Sequence, residues 1–204
     1  MLNSYKEECV ECGIDEAGRG CLSGRVYTAA VILPTNYEVG DTDFMNIKDS
    51  KKLSKKKREE LRIYIERVAI SYAVDYGTVE EIDKYNILHT TLRSMHRAVD
   101  KLTVKPEHIA VDGNRFIMYM DSNDDIIEHT LITAGDNKYR NIAAASILAK
   151  THHDEYVRTL LEEDPELQKY GWATNMCYGT KIHMEAIRKY GITKHHRRSF
   201  RPCR

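Results

Sequence analysis

Four acidic residues carry the first chemical suggestion: Asp15 and Glu16 in GIDEAGRG, Asp112 in VDGN, and Asp136 in GDNK. Each follows a stretch that reads as a strand, at residues 10–14, 108–111 and 128–133. If those strands are neighbours, four carboxylates meet at their carboxyl ends, where open α/β sheets build sites on loops leaving a rigid scaffold. Unrelieved, such a cluster is costly, because like charges raise one another's pKa. Hard divalent cations are the natural compensation, since Mg2+ takes a few carboxylates together with water and phosphate oxygens. Two such ions roughly 3.5–4 Å apart can clamp the attacking and leaving oxygens of a phosphodiester. Taken singly, Asp112-Gly113 and Gly135-Asp136 also fit ordinary turns. The run Asp121-Ser122-Asn123-Asp124-Asp125 imitates the start of a calcium loop, but Ile126 and Ile132 stand where Gly and Glu belong. It reads as a polar loop between two strands.

The elements that must position these residues read as mixed α/β. Strands are expected at 10–14, at 25–33 (closed by Pro34), at 69–79, at 108–111 and at 128–133. Helices are expected at 55–68, with Leu61, Ile65 and Val68 on one face, and at 79–102, with Ile87, Leu88, Leu92, Met95 and Val99 at helical spacing. An Ala-rich helix follows at 139–163 and a short one at 182–190. One sheet, part antiparallel and part parallel, covered by helices, is the architecture this order suggests. A chain of 204 residues suits one domain with a short appendage. With 42% hydrophobic and 30% charged residues, disorder is excluded. No apolar run reaches the roughly 18–20 residues of a membrane span, and the N-terminus has no signal-peptide pattern, so a cytoplasmic protein is expected. Five cysteines, an odd number, suit a reducing compartment. Cys9 and Cys12 form a C-x-x-C without a second ligand pair, and read as small residues leading into a strand.

The net charge is zero, with 31 basic against 31 acidic residues, which speaks against a nucleic-acid partner until the charges are located. Residues 48–62 carry 8 basic and 3 acidic side chains, and residues 181–204 carry 8 and 1. The acidic excess lies at 1–47 and 112–180. Two basic segments are thus set apart from an acidic body. Lys55, Lys56, Lys57 and Arg58 equally suit the solvated start of a helix. For Arg197 and Arg198, phosphate contact and buried ion pairing stand as equal alternatives. His152, His153, His195 and His196 read as structural or solvated rather than as ligands.

The motifs in order are GIDEAGRG (13–20), DSKKLS (49–54), VDGN (111–114), GDNK with IAAASILAK (135–150), YGTKIH (178–183) and HRRSF (196–200). Along nearly its whole length, this chain resembles the type 2 ribonuclease H (ribonuclease HII) family. The resemblance implies an α/β ribonuclease H-like fold, a central mixed sheet flanked by helices with a small C-terminal helical appendage. It implies a catalytic domain at 1–165 and a helical segment at 166–204 that completes the substrate groove. The implied activity is metal-dependent endonucleolytic cleavage of RNA in RNA–DNA hybrids and incision 5′ of single ribonucleotides in duplex DNA, leaving 3′-hydroxyl and 5′-phosphate ends. By resemblance, two Mg2+ or Mn2+ ions fall to Asp15, Glu16, Asp112 and Asp136. Sensing of the ribose 2′-hydroxyl falls to Gly18, Arg19 and Gly20, stacking at the RNA-to-DNA junction to Tyr178, and phosphate contact to Lys51 with Lys52. These roles agree with chemistry: telling RNA from DNA requires reading a 2′-hydroxyl, and glycine lets backbone approach a sugar edge.

The chain departs from the family's usual pattern at several positions. Cys21 stands where Pro is common, Tyr139 where a small hydroxyl residue is usual, and Met176 and Cys177 where Lys and Gly are usual. The interval between Asp112 and Asp136 is longer than usual. The chain stops just after HRRSF, so no sliding-clamp-binding tail is recognised and an autonomous monomer is expected. A catalytically silent hybrid-binding protein is the alternative from another class, and the four carboxylates argue against it. The sister type 3 enzymes usually read DESGKG and carry an N-terminal platform, and this chain has neither.

Overall fold

A computed structural model describes residues 1–35 and 41–204. The elements run β1 (Glu11–Ala17), β2 (Val26–Ile32), α1 (Thr42–Met45), α2 (Lys55–Val68), β3 (Ser71–Gly77), α3 (Val79–Asp100), β4 (His108–Asp112), β5 (Tyr119–Met120), β6 (Ile126–Ile132), α4 (Arg140–Glu163), α5 (Trp172–Asn175) and α6 (Lys181–Tyr190). Every residue of β2 is buried, as in a strand covered on both faces. The six strands form one sheet in the order β3-β2-β1-β4-β6-β5. β1 is antiparallel to β2 and parallel to β4, and β4 is parallel to β6. The mixed sheet expected from the sequence is therefore present, and the parallel pairs bring the carboxyl ends of β1, β4 and β6 to one edge.

Each face of the sheet has its own helical cover. On one face Ala29 and Val31 pack against Ala143–Ala149 of α4 and against Leu61 and Ile65 of α2. On the other, Ile14, Ile32, Ile109 and Val111 pack against Leu92, Met95 and Val99 of α3. The start of α4 lies so close to β1 that a Cβ at Gly13 would stand 2.2 Å from the Asn141 carbonyl carbon. Only glycine permits that approach, which sets α4 directly beneath Asp15. A third apolar cluster joins Cys21, Leu22, Val157 and Leu160 to Leu167, Trp172, Ala186 and Ile187. Through it, the C-terminal turns and α6 rest on the second half of α4.

Four expectations are corrected. β1 does not end before Asp15 and Glu16 but runs through them to Ala17. β5 is an additional strand, and the polar run 121–125 turns the chain from it into β6. The helix expected at 79–102 is interrupted at Asn86, whose φ is 66° and whose side chain accepts from the His89 N–H and so caps the second part. Two short helical turns, at Pro165–Tyr170 and α5, precede α6. No helix among the described residues is long and apolar enough to cross a membrane.

Candidate active site

The sheet register brings Asp15, the neighbour of Ile14, beside Asp112, because Ile14 pairs with Val111 across β1 and β4. Asp15 is buried. One of its oxygens accepts from the Glu16 N–H at 2.7 Å, and it is hydrogen-bonded to Ser146 of α4. Burial, reinforced by Glu16 and Asp112, holds its carboxyl well above the usual range. Burial also raises Glu16, although Arg19 Nη1 lies 3.1 Å from its Oε1 and opposes the shift. Asp112 ends β4 and accepts the Gly135 N–H at 2.7 Å, which ties the turn Gly135–Asn137 to that strand. Asp136 occupies this turn rather than a strand end. Its pKa is raised by burial and then by Asp112 and Asp49. The strands that carry or precede the four acidic residues are thus neighbours in the sheet, and all four residues lie toward one edge of it.

The basic and aromatic residues singled out from the sequence border the same edge. Lys51 Nζ lies 3.8 Å from Asp136 Oδ2. Burial works against its charge, yet Asp136, Asp15, Asp49 and Asp112 together raise its pKa above that of a free lysine. Lys52 Nζ instead bonds Asn137 Oδ1, and the Asn137 amide reaches both Asp136 and Asp49. Lys51, Glu16, Ser50, Ser146, Lys150 and Tyr178 line one open groove of about 210 Å³. Tyr178 exposes 37% of its surface there. Burial pushes its phenol up, as does Cys21, against a hydrogen bond from the Gly18 backbone that pulls it down. Gly18 has φ +83° and opens the Gly18-Arg19-Gly20 turn, and the Cβ position of Gly20 is 3.9 Å from the Tyr178 ring. Met176 and Cys177, just before the tyrosine, both adopt left-handed backbone, with φ 46° and 68°. Glycine takes that conformation without strain, so the departure from the usual Gly carries a local cost.

Among the described residues, no three His, Cys, Asp or Glu side chains stand close enough to hold a metal ion as they are. Each carboxylate is turned to its own partner: Asp15 to Ser146, Glu16 to Arg19, Asp112 to the Gly135 amide, and Asp136 to Asn137 and Lys51. Together the four carboxylates form an all-oxygen donor set of the kind hard cations take.

Ser146, Lys150 and Asn137 have no role in the sequence reading. A signal was present for two of them, since Ser146, Lys150 and Asp154 are spaced by four along α4 and so share one face. Arg197 fits neither alternative considered for it. It is wholly buried and donates to four backbone carbonyls, with no carboxylate among them. His153 and His196 are buried, in keeping with their structural reading, and Cys9 and Cys12 are free thiols, Cys12 in the core.

Comparison with known proteins agrees with this arrangement. The family model described as Ribonuclease HII matches residues 12–203. The Ribonuclease HII of Parabacteroides distasonis is 52% identical over 201 residues, covering 98% of this chain and 94% of the relative. Among solved structures, the ribonuclease H2 of Pyrococcus horikoshii OT3 shares the fold at a TM-score of 0.74 and 23% identity, covering 95% of this chain and 94% of that one. A Bst-RNase HIII in complex with Mn2+ shares it at a TM-score of 0.64 and 20% identity, covering 95% of this chain and 67% of that one. The fold is ribonuclease H-like, and the chain belongs to the ribonuclease HII family.

Proposed function

We propose that this protein is a divalent-metal-dependent ribonuclease H that cleaves the RNA strand of RNA–DNA hybrids and incises 5′ of single ribonucleotides in duplex DNA, leaving 3′-hydroxyl and 5′-phosphate ends. The observation that carries the reading is the carboxylate edge of the sheet beside a groove lined by Glu16, Lys51 and Tyr178, whose ring stands next to Gly20. Asp15, Glu16, Asp112 and Asp136 would hold two Mg2+ or Mn2+ ions. The fit rests on their oxygen-only chemistry and on the raised pKa that burial and neighbouring carboxylates give Asp15 and Asp136, which a bound cation would oppose. Such ions, when bound, supply activation of a water and neutralisation of charge on the scissile phosphate.

The chain's own residues do the positioning. Lys51, with Lys52 beside it, takes a phosphate of the cleaved strand. Tyr178 offers its ring to the sugar or base next to the cut, while the phenol stays tied to Gly18. Gly18, Arg19 and Gly20 present backbone to the 2′-hydroxyl. Residues 1–165 supply the catalytic sheet, and residues 166–204 complete the groove by carrying Tyr178. The protein acts as a monomer in this reading, and the reaction suits ribonucleotide removal accompanying DNA replication and repair.

The test is a labelled DNA duplex holding one ribonucleotide, incubated with protein and Mg2+ or Mn2+ beside an all-DNA control. Incision 5′ of the ribonucleotide is expected, with none in the control. Asp15→Asn is expected to lose cleavage by at least a hundredfold while still binding the duplex. Normal cleavage by this variant would refute the site, and absence of incision by the unaltered protein in both metals would refute the function.

A further inference from the structure

Arg197 is the largest charged side chain in the interior, with none of its surface exposed. A buried guanidinium is costly unless its donors are satisfied. Among the described residues no carboxylate pairs with it. Its donors go to backbone instead: Nη2 to Gly18 O at 2.8 Å and to Arg25 O at 3.0 Å, Nη1 to Arg19 O at 3.0 Å, and Nε to Gly24 O at 2.9 Å. Two of these four carbonyls belong to the Gly18–Gly20 turn. The backbone of Arg197 is itself fixed, since its N–H bonds Leu22 O at 2.9 Å.

The peptide unit is planar and trans, so a carbonyl and the following N–H point in opposite directions. Holding Gly18 O inward therefore turns the Arg19 N–H outward, and holding Arg19 O inward does the same for the Gly20 N–H. Among the described residues neither of these two amides has a partner. Gly18 lies in the left-handed region at φ +83°. Successive backbone amides turned to the same side form a concave donor pair that suits an oxygen. The space in front of Gly20 is open as far as the Tyr178 ring. A cation on the carbonyl side of a peptide also polarises it and strengthens its N–H as a donor.

We propose that Arg197 is the positioning residue for ribose recognition: it clamps the carbonyls of Gly18 and Arg19 so that the amides of Arg19 and Gly20 are presented, polarised, to the 2′-hydroxyl. The inference rests on the reading that this turn senses the 2′-hydroxyl. It adds a buried residue that touches no substrate yet sets the discrimination between RNA and DNA.

The test compares affinity for two duplexes, one with a single ribonucleotide and one all-DNA, in the Asp15→Asn background where cleavage does not interfere. Adding Arg197→Lys, which keeps the charge but not the fork of donors, should lower the ratio of the two affinities roughly tenfold, with affinity for all-DNA duplex unchanged. Cys203→Ala, a buried residue of the same C-terminal segment, should lower the melting temperature and leave the ratio intact. An unchanged ratio in Arg197→Lys overturns the proposal. A background protein that binds both duplexes equally overturns the reading of the turn, and the proposal with it. If Arg197→Lys does not fold, the unaltered residue is read by NMR in the Asp15→Asn protein. The guanidinium protons of Arg197 and the amides of Arg19 and Gly20 should shift together with the ribonucleotide duplex and not with all-DNA. Shifted amides with an unmoved guanidinium overturn the proposal.

Discussion

Tyr178 lines the groove and its phenol feels the Gly18 backbone, so in the proposed function one side chain would couple the junction surface to the turn that reads the ribose. A base or sugar stacked on an aromatic ring gains about 1–3 kcal/mol. Tyr178→Ala is therefore expected to lower kcat/KM for a single embedded ribonucleotide by roughly 10- to 100-fold. Tyr178→Phe, which keeps the ring and loses only the phenol's ties to Gly18 and Cys21, should cost several-fold at most. Steady-state kinetics on the one-ribonucleotide duplex decide this, and an unaffected rate in Tyr178→Ala removes the ring from the reaction. At this scale the acidic residues stood out in the sequence because they follow predicted strands, whereas Tyr178 was singled out only by the family resemblance. The partners of Arg197 were hidden. In a basic C-terminal segment an arginine suggests phosphate, and nothing local shows that its partners are carbonyls more than 170 positions earlier in the chain.

Elements were legible where one pattern governed them. α4 and α2 follow the apolar spacing, and β2 is buried throughout because both its faces are covered. The break at Asn86 escaped because apolar spacing continues across it while a single side chain caps the new start. β5 escaped because two residues carry no periodicity. The joining of α6 to the groove was equally hidden, since it depends on buried histidines distant in sequence. His183, near the start of α6, lies 3.0 Å by Nδ1 from Tyr178 O and accepts from Trp172 Nε1 at 3.1 Å. Its Nε2 lies 3.2 Å from that of His196. Burial lowers the pKa of both, and for His196 burial, then His183, takes it from 6.5 to about 4. A histidine whose folded pKa lies below its unfolded value supports the fold fully above pH 6.5. That support is lost as pH falls toward 4, because the unfolded chain takes up the proton first. His196→Gln should therefore melt several degrees below the unaltered protein at pH 7, with the gap closing by pH 4.5. A gap independent of pH would show that neutral His196 carries none of this stability.

Over the whole molecule, zero net charge conceals a division of labour among the basic residues, and the division limits how many can hold phosphate. Of the segment 48–62, Lys57 is ion-paired to Asp43 at 2.9 Å, Arg58 folds back on the carbonyls of Ser50 and Leu53, and Arg62 bridges Glu66 and Glu155. Arg197 is sealed inside. Lys48, Lys51, Lys52, Lys55 and Lys56 stay exposed, Lys51 and Lys56 while paired to Asp136 and Glu60, and Lys181, Arg188, Lys189, Lys194, Arg198, Arg201 and Arg204 stay exposed in the C-terminal segment. Three or four simultaneous phosphate contacts are a reasonable estimate for such a set, and each contributes about −0.9 to the slope of log affinity against log salt on a duplex. The dissociation constant for a one-ribonucleotide duplex, measured with the Asp15→Asn protein between about 50 and 200 mM salt, should follow a slope of roughly −3 to −4. All-DNA duplex should bind weakly over the same range, because the acidic edge repels phosphates that no 2′-hydroxyl contact compensates. A slope steeper than about −7 would mean that most of the exposed basic residues of both segments grip the backbone at once. In that case the sequence's segmental charge, rather than the folded pairing, would govern binding.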